Sequence, residues 1–231
     1  MEGRASKRKN INHIIDVLMV MFLPMLMAYS LIGETFHEIV GTVMLLLFLL
    51  HQILHLKWWK AVFKGRYTAY RICITTINIV LLVMMFMQPL SGIAVSKHIY
   101  TFLPLTGLAA QARSIHMALA YWCYVLMSFH LGLHLDLMVT AANRKLKSAA
   151  TVKWIIRSIV WAVSAYGIYA FIHRGFPGYM FLQTLFAYFD YAEPMAAFFA
   201  DYLAIMVLFA AGGYYTGRLL KKGCFKEANS K

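Results

Sequence analysis

The 231-residue sequence has few charged residues and very few acidic ones. Charged side chains make up 13% of it, with 9 Asp+Glu against 22 Lys+Arg, whereas about a quarter of an ordinary soluble domain is charged. So few charges cannot coat a globular surface, which excludes an ordinary cytosolic enzyme. A content of 61% hydrophobic residues also excludes a disordered chain.

Cysteines and nucleotide-binding motifs are equally scarce. The three cysteines, Cys73, Cys123 and Cys224, lie far apart and form no CxxC. This argues against a disulfide framework and against zinc or iron–sulfur sites with cysteine ligands. The sequence contains no GxGxxG after a strand and no GxxxxGK[ST]. We therefore expect any nucleotide chemistry in a partner protein.

Apolar runs of membrane-spanning length dominate the sequence. A helix needs about 20 apolar residues to cross a bilayer, and six stretches meet this requirement: 11–32, 34–56, 71–90, 113–139, 152–172 and 195–217. They predict an all-α membrane protein with six transmembrane helices. We divide it into a four-helix core over residues 1–140 and two further helices with a short tail over residues 141–231.

The basic residues predict how the chain is oriented in the membrane. All but three of them lie in four segments: 1–10, 57–71, 143–157 and 218–231. By the positive-inside rule these segments and both termini are cytoplasmic, and the loops 91–112 and 173–194 face outward. The pI near 9.7 then results from basic residues that set the orientation of the chain in the membrane. We expect membrane lipid, and no nucleic acid, around this chain.

The second and fourth apolar runs carry the same histidine spacing. The two sets of histidines are His37, His51 and His55, and His116, His130 and His134. In each set the first two histidines are 14 residues apart, and the last two are 4 apart. Because an α-helix has about 3.6 residues per turn, all three histidines of a set lie on one helix face.

Bis-histidyl haem explains this duplication. Ionisable side chains are expensive inside a membrane, and one neutral imidazole from each of two helices fills the two axial positions of a haem iron. The two runs cross in the same direction, so His37 is predicted to face His116 at the outer level. His51 is predicted to face His130 about 21 Å further in. The pattern predicts two stacked b-type haems that carry electrons across the membrane.

The inner level leaves two ligand pairs open. His55 and His134 lie about 6 Å beyond His51 and His130, which is too close for a third haem, so one pair or the other is the ligand pair. We favour His51 and His130. Residues near the inner level are then predicted to contact haem propionates or a quinone: His55, His134, Asp136 and Arg71.

Small and basic residues near the outer level fit the same hypothesis. Gly41 and Ala120 each lie one turn inward from an outer histidine, where a small side chain leaves room for a flat macrocycle. Arg113 lies one turn before His116 and is predicted to pair with a haem propionate.

Two other functions compete with electron transfer. One is a histidine-lined path for protons or a metal ion, which predicts acidic residues among the histidines at mid-membrane depth. The acidic residues instead lie near the ends of the runs: Asp16, Glu34, Glu38, Asp136 and Asp201. The other is a membrane anchor subunit of a larger redox complex.

Three motifs carry a family resemblance. H-E-x-x-G … H-x-x-x-H-x-x-W-W in the second run, P-L-S-G-I-A-V-S before the fourth, and H-M-x-x-x-Y-W … F-H-L-G-L-H within it resemble domain-of-unknown-function family 4405. The arrangement is similar to cytochrome b561-type and to hydrogenase or formate dehydrogenase cytochrome b subunits. The resemblance covers residues 10–140.

The resemblance implies a di-haem b-type four-helix core in the cytoplasmic membrane of a bacterium. It implies electron exchange with an extracytoplasmic flavin- or haem-bearing protein. By motif matching, the resemblance implies that four histidines are haem ligands: His37, His51, His116 and His130. Whether the chain is an electron-transfer subunit or a one-piece quinone-linked oxidoreductase stays open.

Overall fold

A computed structural model describes residues 2–103, 106–146, 150–184 and 192–229, and all regular secondary structure in these ranges is helical. The helices are α1 (Glu2–Met27), α2 (Tyr29–Ile32), α3 (Glu34–Leu54), α4 (Leu56–Val62), α5 (Ala69–Ala94), α6 (Ala109–Leu146), α7 (Ala150–His173), α8 (Phe176–Met180) and α9 (Met195–Asn229). A short 3₁₀ turn, Thr106–Leu108, precedes α6. The prediction of an all-α protein is confirmed.

Six of these helices are long and apolar enough to cross a membrane. The qualifying segments are Asn10–Met27, Glu34–Leu54, Ala69–Ala94, Ala109–Asp136, Ala150–His173 and Met195–Gly223. Each matches one predicted run, which makes this a multi-pass membrane protein. The first ends earlier than predicted, because α1 stops at Met27. Gly33, with a φ of 86°, then turns the chain directly into α3.

The described residues form two compact units. The first comprises those of Met1–Arg66 and Met84–Ala120. In it α1 packs against α3, and each helix buries apolar residues at intervals of four, which places them on one face: Ile15, Met19 and Leu23 of α1, and Val40, Met44 and Phe48 of α3.

The second unit comprises the described residues of Tyr67–Val83, Tyr121–Ala187 and Ala192–Lys231. Here α7 packs against α9 along a stripe of small buried residues, Ser164, Gly167 and Ala170. A Cβ built on Gly167 would lie 2.5 Å from the Ala204 carbonyl oxygen. The absence of a side chain therefore lets the two backbones touch, as in many membrane helix pairs.

A cluster of charges fixes one end of α7 in the second unit. The Arg174 guanidinium donates to the Asp201 carboxylate over 2.7 Å and binds the Glu193 carboxylate through two nitrogens. The Tyr166 hydroxyl also donates to Asp201. The hydrogen bonds to Glu193 and Asp201 raise the pKa of Arg174, so this side chain stays charged.

Candidate functional site

His37 and His116 face each other within the first unit. Their ring centroids are 6.2 Å apart and their planes are inclined by 77°. His37 lies in the first turn of α3, and His116 lies two turns into α6. The structure thus brings together the two outer histidines that the 14-residue spacing singled out.

This separation fits two imidazoles on opposite sides of one metal ion. An imidazole nitrogen binds a transition metal at about 2 Å, and its ring centroid lies about 1.2 Å behind it. Two such rings on opposite sides of one ion have centroids about 6.4 Å apart. The observed 6.2 Å is close to that value.

The end of α5 orients the His116 ring. Its Nδ1 lies 3.0 Å from the Gln88 carbonyl oxygen and 3.2 Å from the Ser91 hydroxyl. Because a carbonyl only accepts, Nδ1 of the neutral ring carries the proton and Nε2 keeps its lone pair. The Gln88 side-chain amide points at this Nε2 over 3.4 Å, so it must turn aside when a metal ligates there.

Gly92 allows this close approach. A Cβ at that position would lie 3.0 Å from the His116 Cε1 atom. In the motif P-L-S-G-I-A-V-S, Ser91 therefore supplies a hydroxyl beside the His116 ring, and Gly92 leaves space for that ring. Its last residue, Ser96, donates to the Glu38 carboxylate over 2.7 Å.

Neighbouring aromatic and backbone groups surround His37. The ring meets the edge of Tyr29 at a centroid distance of 5.1 Å and has a hydrogen-bonding contact with the backbone of Leu26. Its Nδ1 is buried and has no hydrogen-bond partner within the described residues. Such a buried, unpaired nitrogen fits a ligand position. Partial burial and the hydrogen bond to Glu34 raise the pKa of Tyr29, which keeps its hydroxyl protonated.

Glu38, the residue after His37, ties the following loop to α3. Its carboxylate accepts hydrogen bonds from the backbone amides of Lys97 and Ile99, both over 2.8 Å, besides the one from Ser96. The Glu of the H-E-x-x-G motif therefore has a structural role. It holds the chain that follows α5 beside the helix that presents His37.

A second group of polar residues lies near the other end of α3. Asp16 of α1 accepts a hydrogen bond from His51 Nδ1 over 2.9 Å. The rings of His51 and His55 have centroids 4.4 Å apart. One ligand atom from each of Asp16, His51 and His55 lies within 4.8 Å of the others, which makes these three a candidate metal-binding group.

The other predicted inner residues belong to the second unit. The rings of His130 and His134 are 4.7 Å apart by their centroids. Asp136 accepts a hydrogen bond from Lys221 over 2.9 Å, and the Arg71 guanidinium lies 4.5 Å from the centre of the Tyr67 ring. The pairing of His51 with His130, or of His55 with His134, stays a prediction.

The remaining predicted residues lie near the outer histidines in sequence. A Cβ on Gly41 would find only Leu26 within 4 Å, at 3.9 Å, so this position has room beside it. Ala120 is half-buried in α6, and Arg113 is exposed. Their predicted contacts with a haem stay predictions.

Sequence reasoning missed several residues that position the histidines: Asp16, Gln88, Ser91 and Gly92. Asp16 was predicted to be one of several acidic residues near span ends, whereas it binds His51. A usable signal existed, because Asp16 and His51 each lie five residues from the predicted cytoplasmic end of their runs. The sequence therefore predicts that the two side chains lie at the same depth in the membrane.

Comparison of the chain with protein-family models, curated proteins and solved structures finds no match. The functional interpretation consequently rests on the geometry of these side chains.

Proposed function

We propose that this chain is a di-haem b-type cytochrome that transfers electrons across a membrane. The facing pair His37 and His116 is the observation that carries the proposal, since its 6.2 Å separation suits one metal between two imidazoles. A bound haem iron would supply a one-electron change of oxidation state. The matched 14-residue histidine spacing in α3 and α6 points the same way.

The chain's own residues have distinct roles in this proposal. His37 and His116 would hold the outer haem, and by their spacing in the sequence His51 and His130 would hold the inner one. Gly92 lets the His116 ring approach α5, and the Gln88 carbonyl sets its tautomer. Further residues fit the outer macrocycle and its propionates: Gly41, Ala120 and Arg113.

The proposed electron exchange is between the quinone pool of a bacterial cytoplasmic membrane and an extracytoplasmic flavin- or haem-bearing protein, in either direction. Quinol oxidation releases protons with its electrons, so a quinone site needs groups that accept them. Interfacial histidines and a carboxylate provide such groups: His55, His134 and Asp136. Arg71, at the predicted cytoplasmic end of the third apolar run, supplies a positive charge.

Quinol reduction of the purified protein tests this proposal. In detergent, a menaquinol or ubiquinol analogue should reduce the bound haem of the wild-type chain. His134→Ala and Asp136→Asn should slow that reduction while dithionite still reduces all of the haem. His98→Ala, which removes an exposed histidine from the other unit, is the matched control. Wild-type rates in both test variants would mean that the quinone site lies elsewhere.

A histidine-lined metal-ion path is the second candidate function. The grouping of Asp16, His51 and His55 favours it, because a carboxylate and two imidazoles are good ligands for divalent transition metals. Colour separates the two functions. A haem protein shows a Soret band and an α-band that sharpens with dithionite. A colourless preparation, from cells supplied with ample haem, would favour the metal-ion path.

A further inference from the structure

Asp16 is a carboxylate within a membrane-spanning segment, Asn10–Met27. A charge at such a position is costly unless it has a partner. The partner in this structure is His51, whose Nδ1 lies 2.9 Å from Asp16 Oδ1. α1 packs against α3 within the same unit, and this packing brings the two side chains together.

The contact fixes the state of the His51 ring. A carboxylate oxygen only accepts, so Nδ1 of His51 carries a proton and Nε2 of the neutral ring is left with its lone pair. Metal-ligating histidines commonly donate their other ring nitrogen to a carboxylate or a carbonyl, which orients the ring and increases its basicity. His116 shows the carbonyl version of this arrangement, with Gln88 as acceptor.

His55 differs from His51 in its backbone setting. His51 lies in the last turn of α3, whereas His55 is the residue at which α3 ends and α4 begins. Iron ligands need a fixed direction, and a side chain within a helix is more rigidly directed than one at a break between two helices. Helix position and the Asp16 contact therefore both favour His51.

We propose that Asp16 is the positioning residue that selects His51, rather than His55, as the iron ligand from α3 at the inner level, and that it lowers the reduction potential of that haem. This inference rests on the proposed haem function. A carboxylate behind the imidazole makes the ring a stronger electron donor to iron, which stabilises the oxidised form. Without that negative charge the oxidised form is less stable, and the reduction potential rises.

Redox titration of Asp16 variants tests the proposal. Asp16→Asn keeps the shape and a hydrogen-bond acceptor but removes the charge, so the potential of one haem should rise while the other stays unchanged. Asp16→Glu restores the carboxylate and should bring the potential back towards the wild-type value. An unchanged titration of both haems in Asp16→Asn would overturn the proposal.

Repeating Asp16→Asn in a His37→Ala background assigns the effect to one level. That background should keep only the inner haem, so the single remaining haem should show the whole upward shift. A shift that disappears in this background would place the effect of Asp16 on the outer haem and overturn the proposal. The proposal would also be overturned if His55→Ala lost a haem while His51→Ala kept both haems.

Cobalt titration separates failure of this inference from failure of the haem function. If the wild-type protein holds haem but Asp16→Asn leaves both potentials unchanged, only the role of Asp16 fails. If the wild-type protein holds no haem and instead binds Co²⁺, with loss of binding in both Asp16→Asn and His55→Ala, the group is a metal-ion site. That result would overturn both proposals.

Discussion

The two units of this protein use their small and polar residues differently. In the first, polar groups orient imidazole rings: the Gln88 carbonyl and the Asp16 carboxylate each accept from a histidine Nδ1. In the second, glycines bring helix backbones into contact, and a cluster of charges around the buried Asp201 fixes the end of α7. The first unit thus uses polar groups to orient imidazole rings, and the second uses glycines and ion pairs to hold its helices together.

Glycine shows this difference most directly. In the first unit Gly92 makes room for a histidine ring, whereas in the second unit a Cβ on Gly132 or Gly213 would overlap a backbone carbonyl. A side chain can turn away from a new methyl group, but a helix backbone moves only with the whole helix. We therefore expect a substitution of Gly92 to act on the histidine ring, and substitutions of Gly132 or Gly213 to lower stability.

The largest expected effect follows from breaking the charge cluster of the second unit. Arg174→Leu leaves two carboxylates, Asp201 and Glu193, without their cation, and the Asp201 side chain is only 7% exposed. Stranding a buried charge typically costs about 3–5 kcal/mol. Thermal unfolding in detergent should show a much lower midpoint, whereas Arg157→Leu, an exposed arginine of α7, should unfold near the wild-type midpoint. Equal midpoints would mean that the cluster does not stabilise the unit.

The glycine contacts of the second unit should give the next largest effect. Gly213→Leu would force a side chain against the Phe129 carbonyl, and overpacking of this kind costs about 1–3 kcal/mol. Gly223→Leu is the matched control on α9, because a Cβ there has no neighbour within 4 Å. The midpoint of thermal unfolding should fall for the first variant only. Equal midpoints for the two variants would show that α9 shifts freely.

Removal of an inner histidine, whichever unit it belongs to, should change cofactor content more than stability. His51→Ala should lose one haem per chain, and so should His130→Ala, whereas His55→Ala and His134→Ala should keep both haems with a shifted potential. The reason is that a ligand holds the iron and a neighbouring residue only tunes it. Haem content and redox titration of each variant measure the difference. The reverse pattern would move the ligands one turn along each helix.

A smaller effect is expected where the first unit positions His116. Gly92→Ala adds a methyl group 3.0 Å from Cε1 of that ring, so the ring must shift by a few tenths of an ångström. The expected result is a small change in the α-band and potential of the outer haem with both haems retained. Gly107→Ala, with nothing within 4 Å, serves as the control. An unchanged spectrum in Gly92→Ala would show that this contact does not direct the ring.

Much of the fold follows from the sequence because membrane spans have a simple signature. Apolar length predicted all six helices, and the main differences concern where they end. α1 stops at Met27, and α6 continues to Leu146 beyond the apolar part of its run. Local backbone breaks such as the one at Gly33 depend on how neighbouring helices pack, which hydrophobic length does not encode.

The outer site was partly predictable for a similar reason. The 14-residue spacing predicted that His37 and His116 share a level, and the structure places their ring centroids 6.2 Å apart. The residues that orient them come from other helices. Gln88 and Ser91 reach His116 from α5, and Asp16 reaches His51 from α1, so their roles depend on the rotation of each helix about its axis. Periodicity within a single run does not determine that rotation.

The haem stoichiometry of the outer-histidine variants tests the central claim most directly. Pyridine-haemochrome analysis of the purified wild-type chain should give two haems b per protein. His37→Ala and His116→Ala should each give one, because under the proposal both histidines would be needed to hold the outer haem. Both variants should keep the wild-type helical content by circular dichroism. Two haems retained in both variants, or no haem in the wild-type protein, would contradict the account.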